Sequence, residues 1–332
     1  MDPARALRDI AFQLERAAEP TYRVRAFRQA AAVVDNLSQE ELESRVRSGT
    51  LQALKGIGKA TAGVIEDAWL GRVPAYAAKV AEADLPDGGE LRAALRGDCH
   101  THSDWSDGGS PIQEMAEAAR DLGHEWIVLT DHSPRLTVAN GLSPERLRKQ
   151  MDEVARVNSE LAPFRLLHGI EVDILDDGAL DQRSDLLERL DFVVASVHSK
   201  LRMPSRELTP RLLAAVANPH VRVLGHCTGR LVRGPRARPP STFDAEKVFT
   251  ACRDHGVAVE INSRPERLDP PMPLLRMAVE LGCEFAIDSD AHAPGQLDWQ
   301  VYGCARAEKA GLTADRVINT RPADELFQST VD

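Results

Sequence analysis

Apolar side chains recur every three or four residues in four stretches near the N-terminus: "ALRDIAFQLERA", "YRVRAFRQAAAVVDNL", "QEELESRV" and "TAGVIEDAWL". That period marks one face of an α-helix, so residues 1–80 are expected to form a small all-helical bundle. From Arg96 onward the pattern changes to short β-rich runs separated by amphipathic stretches. The runs are "GDCHTH", "EWIVLTDH", "FRLLHGIE", "DFVVASVH", "VRVLGH", "GVAVEIN" and "EFAIDSDAH". Between them lie helical patterns such as "PIQEMAEAARDLG", "SPERLRKQMDEVARVNSELA", "TPRLLAAVANP", "DAEKVFTACRDHG" and "PLLRMAVELG". Strands that alternate with helices pair in parallel, and seven such units with buried apolar strands suggest an α/β fold closed into a (βα) barrel. Chemistry in such barrels gathers at the C-terminal ends of the strands. Pro86, Gly88 and Gly89 favour turns, so residues 81–97 are expected to be a linker and 98–332 the second domain.

Composition adds little to this picture until charge is divided between the two parts. The 332 residues are 43% hydrophobic and 28% charged, as in an ordinary globular protein. The formal net charge is −10, yet residues 1–82 hold 12 basic against 11 acidic side chains. The remaining residues hold 29 against 40, so a near-neutral head precedes an acidic body. The charged N-terminus lacks a signal-peptide core, and no run reaches the length of a membrane span. Five dispersed cysteines without CxxC spacing favour reduced thiols over disulfides, and together these features predict a cytoplasmic protein without membrane association.

Candidate chemistry falls at the strand ends. The first run supplies His100 and His102, with Asp107 in the loop that follows. The second ends at His132, the third carries Glu171, and the fourth and fifth end at His198 and His226. The seventh supplies Asp290 and His292. Residues at i and i+2 of a strand share a face, so the two spaced pairs can point at one cluster. His124, His168, His220 and His255 are read instead as ordinary structural histidines. Six imidazoles and three carboxylates exceed the needs of one ion. Two to three divalent ions are expected, and mixed N/O ligation suits zinc, manganese or iron alike. Glu171 is the candidate bridge between two ions, while Asp107 and Asp290 would complete separate shells. Arg202, Arg230, Arg264 and Arg267 follow strand ends, where a guanidinium could hold a substrate phosphate.

In the head, "LQALKGIGKATAGVI" places Gly56 and Gly58 directly before a helix, flanked by Lys55 and Lys59. Glycines there let the backbone approach a phosphate, and a helix N-terminus offers free N–H donors. The pattern L-x-x-L-x-G-I-G-x-x-x-A resembles the helix-hairpin-helix motif, a sequence-independent binder of DNA backbone. With "YRVRAFRQAA" ahead of it, the segment also resembles the N-terminal domain of family X DNA polymerases. The resemblance implies DNA binding through Arg23, Arg25, Arg28, Lys55, Gly56, Gly58 and Lys59. Lyase members of that family use a lysine in the helix after the hairpin; Val64 stands at that position here.

The strand-end series "DCHTHSDWSDG", "VLTDHS", "HGIEVDI", "ASVHS", "LGHCTGR", "EINSRPERLD" and "DSDAH" resembles the polymerase and histidinol phosphatase (PHP) family, from about Gly97 to Phe327. It is most similar to the PHP domain that ends bacterial family X DNA polymerases, including a tail "VINTRPADELF". The resemblance implies a distorted seven-stranded barrel, a trinuclear metal site and phosphoester hydrolysis by a metal-activated hydroxide, with no separate catalytic side chain. Cys227 departs from the proline that usually follows this histidine, but no ligand is lost. In those polymerases a palm separates the two domains; here only the short linker does, so no polymerase activity is expected. A DNA 3′-5′ exonuclease, or a nuclease that processes DNA 3′ ends or abasic sites, is the leading expectation. A small-molecule phosphatase of the histidinol-phosphate type would use the same barrel without needing the head. An amidohydrolase also begins with HxH but commonly has a bridging lysine where Glu171 stands. A non-catalytic DNA-binding scaffold would be expected to lose ligands, and all nine are present.

Overall fold

The computed structural model describes residues 1–80 and 85–326. The chain divides into two compact units, Met1–Asp84 and Leu85–Asp332.

The first unit is helical. Helix α1 (Pro3–Arg16) starts where the Asp2 carboxylate accepts the Ala4 N–H at 3.0 Å, a side-chain cap for a donor the helix cannot satisfy itself. It buries Leu7, Ile10, Ala11 and Leu14, one stripe at helical spacing. Helix α2 (Thr21–Asp35) lays Phe27, Ala30, Ala31 and Val34 against that stripe. Helix α3 (Gln39–Ser48) ends at Gly49, whose φ of 66° suits a residue without Cβ. Helix α4 (Lys59–Trp69) follows the glycine turn and buries Val64, Ile65 and Ala68.

The second unit opens with helix α5 (Gly89–Ala94), inside the stretch expected to be a linker. That expectation is corrected from residue 85 onward, while residues 81–84 lie outside the described residues. Leu91 and Leu95 share one face of the helical turn and are buried in the barrel's own apolar cluster, so the turn residues around them cap a helix. Strand and helix then alternate: β1 (Gly97–Thr101), α6 (Ile112–Asp121), β2 (Trp126–Leu129), α7 (Pro144–Leu161), β3 (Arg165–Asp173), α8 (Ser184–Leu187) and β4 (Phe192–Ser196). The series continues with α9 (Ser205–Val216), β5 (Val223–Leu224), α10 (Ala245–Asp254), β6 (Ala258–Asn262), α11 (Met272–Glu280), β7 (Phe285–Asp288) and α12 (Gln300–Lys309). The seven strands are parallel and ordered by sequence from β1 to β7.

The barrel is nearly closed, and side chains finish the seam. Beyond the last rungs, the His102 N–H reaches the Ala291 carbonyl at 2.8 Å, and Thr101 and Ala291 form an isolated parallel bridge. Below it the Cys99 N–H donates to Asp288 at 3.0 Å. Asn319 clasps both edges: its amide donates to the carbonyls of Gly97 at 3.2 Å and Ile287 at 3.1 Å, and its oxygen accepts the Ile287 N–H at 2.7 Å. An unpaired strand edge would otherwise leave these groups without partners. Inside, Val128, Leu167, Val194, Val223, Ala258 and Ala286 make an apolar layer that Ile318, Ala323 and Leu326 plug from below. Glu171 stands on the face of Leu167, and Glu260 on the face of Ala258, so both polar side chains sit above that plug.

His124 lies buried between α6 and β2 with both ring nitrogens unpartnered among the described residues. Burial, aided by the charge of Arg92, pushes its pKa from 6.5 down to about 3. Below about pH 6.5 the unfolded chain takes up a proton that the folded protein refuses until about pH 3, so stability is full at neutral pH and falls as pH drops through that window. The slope should reach about 1.4 kcal/mol per pH unit from this group. Urea unfolding at several pH values should show a shallower slope in His124→Gln; an unchanged slope would assign the effect elsewhere.

Candidate metal centre

All nine side chains singled out at the strand ends meet at the C-terminal mouth of the barrel. Glu171, near the C-terminal end of β3 and buried, is the hub. Its Oε2 lies 2.8 Å from His132 Nδ1, 3.4 Å from His100 Nε2 and 3.6 Å from His102 Nε2. Its Oε1 lies 2.9 Å from His226 Nε2 and 3.3 Å from His198 Nε2. A second carboxylate, Asp107, lies 3.4 Å from His132 Nε2 and 3.3 Å from His292 Nε2. The third, Asp290, is 3.5 Å from His102 Nε2 and 3.6 Å from His292 Nδ1. Asp107 is 37% exposed in its side chain whereas Glu171 is fully buried, so the cluster opens to solvent on the Asp107 side.

Local backbone fixes these positions. The loop after β1 turns tightly at Gly108, where a Cβ would lie 2.6 Å from the Ser103 carbonyl, and this turn swings Asp107 back over the mouth. Asp131 holds the loop's root, accepting the Ser103 N–H at 2.8 Å and hydroxyl at 2.6 Å and the Gln150 amide at 2.6 Å. Asp290 adopts a φ of 52°, an unusual backbone for a residue with a side chain, where Asn262 donates to its carboxylate at 3.0 Å.

Three groups have ligand-type atoms lying within 4.8 Å of one another: His102, Asp107, His132 and His292; His100, His102 and Glu171; and His132, Glu171 and His198. Among the described residues, His100 Nε2, His102 Nε2, His198 Nε2 and Glu171 Oε2 are buried without a hydrogen-bond partner. Bare imidazole nitrogens around a carboxylate are a donor set that fits divalent ions of the zinc, manganese or iron type. His226 and Asp290 lie at the edges of these groups, against Glu171 and His102 respectively.

Behind the imidazoles stands Glu260, on the one strand that showed no ligand in sequence. Its Oε1 lies 2.6 Å from His100 Nδ1, and its Oε2 accepts the His226 N–H. A carboxylate at Nδ1 keeps the proton there and leaves Nε2 bare toward the cluster. Asp173 plays the weaker counterpart for His198, at 3.5 Å from Nδ1. The signal for Glu260 was a charge inside a run of five buried strand residues.

The four arginines divide. Arg267 Nε lies 3.2 Å from Asp290 Oδ2, and Arg264 Nη1 lies 3.6 Å from Asp290 Oδ1, so both border the cluster. Arg202 is exposed beside it. Arg230 is corrected: its guanidinium donates to the carbonyls of Arg267, at 3.0 Å, and Leu268, bracing a loop rather than facing a substrate.

The helical unit divides likewise. Arg25, Lys55 and Lys59 are exposed. Gly56 has a φ of 97°, and a Cβ there would lie 3.3 Å from Val33, so the turn requires glycine. The Gly58 N–H, expected as a phosphate donor, is corrected: it donates to Thr61 Oγ1 at 2.9 Å, leaving the next N–H groups of α4 for an anion. Arg28 is corrected too, forming a bidentate pair with buried Glu15 at 2.7 and 2.8 Å. Arg23 is held by Glu19 and by the Tyr76 hydroxyl at 3.0 Å. Val64 is 1% exposed, a core residue with no route to a DNA substrate.

Comparison with known proteins agrees with this geometry. The PHP domain matches residues 98–264, and a helix-hairpin-helix domain matches residues 1–70. The chain belongs to the PHP family. A DNA polymerase/3′-5′ exonuclease PolX of Bacillus subtilis is 41% identical over 232 residues, 70% of this chain but only 40% of that protein's length. A protein named as a probable phosphatase from Thermoanaerobacter sp. is 31% identical over 234 residues, 67% of this chain and 89% of its own. The crystal structure of histidinol phosphate phosphatase from Lactococcus lactis, complexed with zinc, L-histidinol and phosphate, covers 66% of the chain with a TM-score of 0.50 at 21% identity, which supports the fold. The PHP domain here is a metal-dependent phosphoesterase. Among the described residues no helix is long and apolar enough to cross a membrane.

Replacing His100 and His102 together by alanine should lower bound metal, measured by elemental analysis after reconstitution, from about two to three equivalents. Glu260→Gln should weaken metal binding by roughly ten- to a hundredfold while leaving all nine ligands in place. Unchanged affinity in that variant would show that His100 needs no orienting carboxylate.

Proposed function

We propose that this protein is a metal-dependent nuclease that hydrolyses phosphoester bonds at DNA 3′ ends or abasic sites, without polymerase activity. The observation that carries the reading is the pairing of two units in one chain: a convergent cluster of nine ligand-type side chains, seven of them in groups that could hold a metal ion, and a helix-hairpin-helix unit with exposed Lys55 and Lys59. His100, His102, Asp107, His132, Glu171, His198, His226, Asp290 and His292 would hold two to three ions, with Glu171 shared between them. Such ions, when bound, supply Lewis-acid stabilisation of phosphate charge and a water acidic enough to attack at neutral pH. Arg267, and Arg264 despite its pair with Glu266, border Asp290 and would orient a phosphate there by charge-assisted hydrogen bonds. The buried carboxylates Glu260 and Asp173 hold His100 and His198 in place. The helical unit contributes affinity through backbone N–H groups and lysine charge, contacts that carry no sequence information. The 41% identity to the PolX protein favours DNA over other phosphoesters.

A second reading, a small-molecule phosphatase, is favoured by the relative named as a probable phosphatase, which matches over 89% of its length with 67% of this chain. The full chain and its Lys55→Ala/Lys59→Ala variant separate the two. The variant should show a KM for a 3′-recessed duplex raised about fivefold or more, with a flatter salt dependence. Its turnover of p-nitrophenyl phosphate should match that of the parent. Equal DNA cleavage by both proteins across a salt series would remove the helical unit from the reaction and favour the phosphatase.

A further inference from the structure

Between Gly229 and Pro240 the chain reads "GRLVRGPRARPP": four arginines and no acidic residue, within an otherwise acidic body. This segment leaves the barrel three residues after His226. It folds back as a hairpin in which Leu231 and Arg238 exchange backbone hydrogen bonds of 3.0 and 2.9 Å. Its root is fixed. The Ser241 N–H donates to the Thr228 carbonyl at 2.8 Å, Val232 N–H to the Glu266 carbonyl at 2.6 Å, and Arg238 Nε to the Gly229 carbonyl at 2.7 Å. Arg230 ties the same root to the loop that presents Arg264 and Arg267 to Asp290.

The tip is different. Residues 232–237 are exposed, and neither Arg233 nor Arg236 has a hydrogen-bond or ion-pair partner among the described residues. Some exposed arginines elsewhere hold carboxylates, among them Arg47 with Glu43 at 2.5 Å, Arg72 with Asp67 at 2.9 Å and Arg183 with Asp185 at 2.8 Å, whereas Arg233 and Arg236 lie in a segment that carries no acidic residue. Uncompensated like charges three residues apart repel each other, and a polyanion relieves that repulsion. Between the hairpin and the loop after β4 lies a cavity of about 490 Å³, walled by Lys200, Arg202, Arg238 and Ser241. Both walls spring from strand ends that carry metal-centre histidines, His198 and His226. The volume falls in the range that holds a small-molecule ligand.

We propose that the Leu231–Arg238 hairpin is a nucleic-acid contact built into the barrel. Arg233 and Arg236 hold successive backbone phosphates of the strand whose end enters the metal centre, and the cavity receives the neighbouring nucleotide. The partner is a nucleic-acid backbone rather than a protein face, because the tip offers charge and no aromatic anchor. The proposal rests on the DNA reading above and adds a second contact, separate from the helical unit.

The test uses the full chain with bound metal, a fluorescein-labelled single strand and p-nitrophenyl phosphate. Arg233→Ala/Arg236→Ala should raise KM for the strand about tenfold near 0.1 M salt and reduce the slope of log KM against log salt by about 1.4, two contacts' worth. Arg233→Lys/Arg236→Lys should keep most of the affinity, since charge is retained. Turnover of p-nitrophenyl phosphate, which has no neighbouring backbone phosphate for the tip to hold, should change less than twofold. Arg47→Ala, which removes an exposed arginine elsewhere, should leave all values at wild type. A double alanine variant with wild-type KM and salt slope for the strand overturns the hairpin proposal and leaves the DNA reading standing. A wild-type protein that turns over p-nitrophenyl phosphate but cleaves neither the strand nor a 3′-recessed duplex nor an abasic-site duplex overturns the DNA reading, and the hairpin proposal with it.

Discussion

The barrel mouth is organised around one buried carboxylate. An isolated carboxylate at the depth of Glu171 would cost several kcal/mol to desolvate. Burial pushes its carboxyl upward, and positive charge on His198, His100 and His132 overrides that and holds it well below the carboxylate range. The imidazoles cannot all be cations, however. Burial and the charges of His292 and His132 drive His102 well below its ordinary value. Protons therefore satisfy the cluster unevenly: some rings are asked to be charged and their neighbours are forbidden to be. Divalent ions remove the conflict, because they provide the positive charge Glu171 needs while each imidazole stays neutral and donates a lone pair. The same residues that make a poor proton-based network make a coherent metal-binding one.

The rest of the barrel serves to hold that arrangement still. The apolar layer from Val128 to Ala286, plugged by Ile318 and Leu326, gives the polar side chains a dry floor. Strand periodicity accounts for only part of the cluster: the HxH pair leaves the end of β1, whereas β7 stops at Asp288 and Asp290 reaches the mouth through a φ of 52°, and the remaining four histidines fall outside the cluster. What supports the ligands was less legible. Glu260 sits in "AVEIN", a run that reads as a plain buried strand, and its role depends on a partner 160 residues away in sequence. Asn319 comes from a tail whose turns carry no periodic signal, yet it satisfies both edges of the seam. Such contacts are decided by closure of the barrel, which no local pattern encodes.

In the helical unit the glycine turn was legible because conformation demanded it: a φ of 97° at Gly56 permits few alternatives. The charged residues were not, because a helix period tells which side chains leave the core but not which acid they meet. Arg28 belongs to the bundle because Glu15, on the preceding helix, is buried 2.7 Å away, and such a pair is costly to break. Gly58 lost its donor to Thr61, a residue whose hydroxyl also returns a hydrogen bond to the Gly58 carbonyl at 3.1 Å. Lys55, Lys59 and Arg25 stay exposed, so of the basic residues singled out in this unit these are the ones left facing solvent.

An acidic barrel might be thought unsuited to a polyanion, but net charge is a poor guide at this scale. Solution ions screen exposed charges beyond roughly 8–10 Å, so a strand at the mouth responds to the groups around the mouth. There the acids are committed: Asp290 faces His102 and two arginines, and Asp107 faces His132 and His292. Arg267 and Arg264 balance Asp290 in the absence of other cations. Arg267, 3.2 Å from Asp290, and Arg264, which also pairs with Glu266 at 2.6 Å, place guanidinium charge beside that carboxylate, so an anion approaching the mouth would meet positive groups there whatever the net charge of the barrel.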